Sequence, residues 1–147
     1  MSKTLLGHVP NKNMNIKLFE YINSEGHTVL FPFRVGDIVK VKYWGDSFSS
    51  YKDAFVHFTG KCQAPYYSNF SYWKDEKYAR ENAGEFKIIG VAEHGKKNAL
   101  KHYVIAYIQD RIGRGQVIDL KGLELVKQFP LRIGERTVIK LEKIKEI

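Results

Sequence analysis

The stretch VGDIVKVKY, residues 35–43, decides how the chain is read. Gly36 and Asp37 open a turn, and Ile38, Val39, Val41 and Tyr43 build a β-branched strand that Gly45 and Asp46 close. Working outward, NIKLFEYI (residues 15–22) alternates, with Ile16, Leu18, Glu20 and Ile22 on one face and Lys17, Phe19 and Tyr21 on the other. The turn-rich run Asn23, Ser24, Glu25, Gly26 then leads into HTVLFPF. Residues 16–33 therefore read as an N-terminal hairpin whose second strand ends at Pro32, near a sheet edge. Downstream, EFKIIGVAEHG (85–95) and HYVIAYIQD (102–110) read as strands flanking the basic turn KKNALK. RIGRG then turns the chain into QVIDL, and KGLELVKQF reads as a tight turn followed by a short strand. Asp75 is placed to cap a short helix over DEKYAREN (75–82). In RTVIKLEKIKEI (136–147), Val138, Leu141 and Ile144 fall at helix spacing while Val138, Lys140 and Glu142 alternate as in a strand, so the pattern leaves both open.

The expectation is one mainly β domain over 1–147, with little helix: a hairpin at 16–33, a barrel at 35–127 and a C-terminal extension at 130–147. The barrel is interrupted by a forty-residue insertion at 46–85 that is rich in aromatic side chains. The order GDIVKV, long excursion, FKIIGVAEH, YVIAYIQD, RIGRG turn, QVIDL, LKGLELV resembles that of SH3-like barrels. Its opening GDIVKV is similar to that of KOW modules, and the insertion displaces the glycine those modules carry about a turn later. The resemblance implies binding of nucleic acid or of RNA polymerase. A basic barrel of this size without a catalytic motif also resembles small bacteriophage proteins, which implies the host cytoplasm. The fold alone licenses no function.

Charge narrows the partners. Lys and Arg outnumber Asp and Glu by 24 to 16, a formal charge of +8 and a pI near 9.5, which favours polyanions. The lone Cys62 forms no internal disulfide and is expected to be an inert packed thiol in a reducing cytoplasm. No window approaches the roughly 20 apolar residues of a membrane span, and the N-terminal residues lack a signal-peptide core, so no membrane association is expected. The chain carries no GxxxxGK[ST], HExxH, GxSxG or GxGxxG sequence, and its five histidines are scattered. His57, in AFVHF, is read as a strand residue. No metal site, cofactor or enzymatic activity is expected.

Two groups of residues are candidates for the site. The first is the basic turns: Lys96, Lys97 and Lys101 in KKNALK, and Arg111 and Arg114 in RIGRG, at opposite ends of one strand. Arg114 lies between two glycines that let the backbone approach a partner closely. The second is the stretch APYYSNFSYWKDEKYAR (64–80), where Phe70 and Trp73 share one side of a turn and pin the insertion to the barrel. Tyr66, Tyr67 and Tyr72, followed by Lys74 and Lys77, are suited to stack on bases while the cations meet phosphates, at about 1–3 kcal/mol per stacked base. The expected partner is DNA, with RNA as its variant. The competing reading is a protein-binding module, such as an inhibitor of a host enzyme, with the aromatic insertion as its hot spot.

Overall fold

The computed structural model describes residues 4–5, 7, 16–42, 54, 56–60, 84–93, 104–111 and 115–144. The described chain is mainly β, in two sheets. The strands are β1 (Thr4–Leu5), β2 (Phe19–Ile22), β3 (Thr28–Phe31), β4 (Ile38–Val41) and β5 (Glu85–Glu93), then β6 (Val104–Gln109), β7 (Gly115–Asp119), β8 (Leu123–Lys127), β9 (Val138–Lys140) and β10 (Glu142–Lys143). One sheet has the order β1-β3-β2-β9; the other runs β7-β6-β5-β4-β8, with β10 added to β5.

The expected N-terminal hairpin is present as β2 and β3, antiparallel with Phe19 opposite Phe31 and Ile22 opposite Thr28. Asn23 holds its turn, its side-chain oxygen accepting from the N–H groups of Glu25 and His27 at 3.0 and 2.9 Å. Of the two alternating faces, the one carrying Phe19 and Tyr21 turns inward. Phe19 and Tyr21 are buried, whereas Leu18 is 41% exposed. Tyr21 can be the inner residue because its hydroxyl donates to the Phe33 carbonyl at 2.8 Å, and burial pushes its ionisation far above the ordinary tyrosine range. The strand is also shorter than expected. Beside residue 17 the Gln128 amide stands in for a neighbouring strand, accepting from Lys17 N–H at 2.9 Å and donating to the Lys17 carbonyl at 2.7 Å. The strand before Pro32 lies between β1 and β2, so Pro32 sits past a strand end rather than on an edge.

The second sheet follows the expected segments closely. Strand β5 carries a bulge between Ile88 and Gly90, pairing with β4 through residues 85–87 and with β10 through Ala92 and Glu93. Strand β6 is buried on both faces over Val104–Ile108, which is why its run is apolar without alternation. Its inner residues Val104, Ala106 and Ile108 join one core with Phe19, Tyr21, Phe31 and Phe33 of the first sheet and Val39, Phe86 and Leu125 of the second. Its outer residues Ile105 and Tyr107 pack with Ala54, Ala92, Val117 and Ile144. Each fully buried Val, Ile or Phe side chain contributes about 1.5–3 kcal/mol of apolar transfer, so this shared core is the main bond between the sheets.

One expectation is overturned, one open choice is decided and one expected turn is present. His57 lies in a helical turn spanning 56–59, not in a strand, because Phe58 must lay its ring on Tyr107 (centroids 5.8 Å apart, 18° between planes). The same ring covers Gly90, where a Cβ would come within 2.7 Å of it. The ambiguous C-terminal segment resolves as strand: β9 runs parallel to β2 and β10 parallel to β5, so the chain end bonds to both sheets. KGLELVKQF begins with a 3-10 turn, Leu120–Gly122, capped by Asp119, whose carboxylate accepts from Lys121 N–H at 3.1 Å. The helix expected over 75–82 lies outside the described residues.

Candidate nucleic-acid interface

Burial changes the charge that the surface presents. Of the ten acidic residues among those described, Asp37, Glu93, Asp110 and Asp119 are buried; none of the twelve Lys and Arg residues is. Three of these four carboxylates, Asp37, Glu93 and Asp119, accept from backbone N–H groups. Asp37, fully buried, accepts from the N–H groups of Arg34 (3.0 Å) and Phe129 (2.9 Å), and Glu93 accepts from Ser24 N–H at 2.9 Å. Desolvation raises the ionisation of Asp37 and of Asp119 above the ordinary carboxyl range, and the backbone donors act against that rise. With these acids removed from contact with solvent, the described surface is more basic than composition alone implies.

The second sheet concentrates the cations in one row. Register places Lys127 beside Ile38, Ile38 beside Lys87 and Lys87 beside Gln109; the β4–β8 pairing shifts by one residue between Ile38 and Val39, and this irregularity lets Lys127 stand exposed in the row although Leu125, two residues before it, is buried. Val39, Phe86 and Leu125 point the other way, into the core. No acid stands in this row. The next row, two residues along β4 and β5 and three along the irregular β8, alternates Glu124, Lys40 and Glu85, and Glu124 is further paired to Lys42 at 3.0 Å. Lys87 and Lys127 stand two strand spacings apart, about 10 Å.

A hollow opens on each side of Lys87. One, of about 340 Å³, extends past Gln109 to Arg111 and is also bordered by Glu85 and Asp110. The other, of about 500 Å³, is a groove bounded by Arg34, Val35, Gly36, Lys87, Phe129, Arg132 and Glu135. Arg34 anchors this groove. Its guanidinium pairs with Glu135, donates to the Pro130 carbonyl at 3.3 Å and lies over the Phe19 ring, 5.4 Å from the centroid. The hydrogen bond from Arg34 holds the Glu135 carboxyl below its ordinary range, ahead of smaller contributions from Arg132. Lys87 and Arg132 have no ion-pair partner among the described residues. Phe129 is 44% exposed at the groove's edge, with Lys127 over its ring at 5.6 Å.

Of the residues expected from sequence to form the site, Arg111 is described; it is exposed and borders the smaller hollow. Lys96, Lys97, Lys101, Arg114, Tyr66, Tyr67, Tyr72, Lys74 and Lys77 lie outside the described residues, as do Phe70, Trp73 and Cys62. One supporting argument is corrected. Gly115, read as opening the backbone to a partner, instead makes room for Tyr107, whose ring and hydroxyl occupy the space a Cβ would fill. Lys87, Lys127, Phe129 and Arg132 were not among the site residues expected from the sequence. Alternation in FKI marks Lys87 as outward, whereas alternation in LVK would place Lys127 with buried Leu125, so its place in the row depends on the irregular pairing of β8 with β4. No helix among the described residues is long and apolar enough to cross a membrane. No family model, no curated protein and no solved structure matches the chain.

Proposed function

We propose that this protein is a non-enzymatic DNA-binding protein of the cytoplasm whose described contact face is the row Lys127, Lys87, Arg111 together with Arg132 in the adjoining groove. The observation that carries the reading is the separation of charges: three buried acids accept from backbone N–H groups while Lys87 and Lys127 stand exposed on either side of Ile38 on an outer sheet face. Spaced, exposed cations held on a rigid sheet follow a phosphate backbone at little ordering cost. An SH3-like barrel is part of the proposal. It is supported by the order β7-β6-β5-β4-β8, by the 3-10 turn between β7 and β8, and by the return of β8 to pair with β4. The basic turns at 96–101 and 111–115 extend the same reading beyond the described face.

Replacing Lys87, Lys127 and Arg132 together with Gln tests it. Each is exposed, so the fold should be retained. Duplex affinity should fall tenfold or more, and the log-log salt slope should decrease by about 3, as expected for three lost phosphate contacts. A folded triple variant with unchanged affinity and slope overturns the assignment. A partner bound with little dependence on salt would instead favour a protein interface.

A further inference from the structure

The turn at Arg132–Glu135 carries a side chain that the fold does not use. Ile133 is fully exposed at 106% of its reference area, at the tip of a tight turn closed by Glu135 N–H donating to the Arg132 carbonyl at 3.1 Å. Gly134 takes a φ of +89°, which a type II turn requires at its third position and which fixes the direction of the tip. The base of the turn is clamped, because Arg34 holds both the Glu135 carboxylate and the Pro130 carbonyl. Exposed Arg132 and Arg136 flank the tip, and Val35 (54% exposed) and Phe129 stand near it around the groove. The turn thus projects an aliphatic side chain between two arginines, in a direction that the clamp fixes, and that side chain contributes nothing to the core.

We propose that Ile133 is a wedge that enters the minor groove of duplex DNA and partly unstacks one base step, bending the duplex against the cationic row. The inference rests on the DNA-binding reading above. Apolar side chains inserted from the minor groove kink a duplex by about 20–90°, and the bend brings more phosphates onto the protein. The geometry suits this use. A β-turn is under about 7 Å across its ends, comparable with a minor groove about 6 Å wide that opens as the duplex kinks. Arg132 and Arg136 supply the cations that such a narrow, negative groove attracts. Charge decides against an apolar protein surface as the occupant, since the tip is ringed by arginines and the nearest acid, Glu135, is already neutralised by Arg34. Lys127 lies against the Phe129 ring, so that ring is less free than Ile133 to serve as the inserted group.

The test uses the full chain, a duplex carrying fluorophores at its ends, the same duplex with a 2-aminopurine reporter walked through it, and the matching single strand. The wild-type protein should shorten the end-to-end distance and brighten 2-aminopurine at one or two positions. Ile133→Ala should keep the melting temperature but abolish the bend and the brightening, lower the salt slope as the phosphates gained by bending are lost, and weaken duplex binding by roughly tenfold. Ile133→Leu should restore both signals. A wild-type protein that binds with the expected salt slope yet leaves the duplex straight overturns the wedge and leaves the DNA-binding reading standing. So does a bend that persists in Ile133→Ala, or a single strand bound more tightly than the duplex. Failure of every nucleic-acid probe overturns both, and loss of self-association in Ile133→Ala without any effect on DNA assigns the tip to a contact between copies of the chain.

Discussion

The turn at residues 34–37 and the turn at residues 132–135 meet at Arg34 and use a carboxylate in opposite ways. Asp37 is fully buried and gives both oxygens to backbone N–H groups, of Arg34 and of Phe129 ninety-two positions away. Glu135 meets the Arg34 side chain at the surface. Burial raises the ionisation of the first, while the guanidinium lowers that of the second. A buried acid therefore ties the chain together through hydrogen bonds despite its charge, whereas an exposed acid orients a turn through its charge.

Substitutions at the two positions should separate these roles. The largest effect belongs to Asp37→Ala, which leaves two backbone donors unsatisfied and should cost about 2–4 kcal/mol of unfolding free energy, measured by denaturant titration. A loss too small to resolve would mean that Asp37 does not link the two segments. Asp37→Asn comes next. Its single carbonyl oxygen can serve one donor while its amide nitrogen faces the other, so about 1–2 kcal/mol should be lost. An asparagine variant as stable as the parent would show that the second hydrogen bond contributes nothing net.

The smallest effect is expected for Glu135→Gln, a shift in the unfolding midpoint visible at low ionic strength and absent near 1 M salt, where screening is nearly complete. Persistence of the shift in high salt would place Glu135 in the same class as Asp37. The dependence on pH gives the comparison a sign. Because the folded value for Glu135 is depressed, its contribution is complete above the ordinary 4.5 and is lost as pH falls through the folded value. Because that of Asp37 is raised, the unfolded chain releases its proton first, and stability falls as pH rises from the ordinary 3.8 through the folded value. Glu135→Gln should therefore remove a rising slope, and Asp37→Asn a falling one, in unfolding midpoints measured across the acidic range. Slopes unchanged in either variant contradict the cause assigned to that group.

Local pattern alone was enough for the mainly β class and for the presence of β4, β5, β6 and β8, since β-branched runs between Gly-Asp and Gly-rich turns have few other uses. It was enough for the hairpin too, and for the basic bias that points to a polyanion. Three things needed the third dimension. The phase of β2 depended on a partner for the Tyr21 hydroxyl, which only the Phe33 carbonyl supplies. The choice of strand at residues 138–143 depended on edges offered by β2 and β5, more than a hundred and about fifty positions earlier. The cationic row depended on register. Lys87 and Lys127 are forty residues apart in the chain, and neither stands in a basic cluster. Pairing across Ile38 brings them onto one face, because in a sheet the neighbours of a side chain are set by hydrogen-bond register and not by sequence distance.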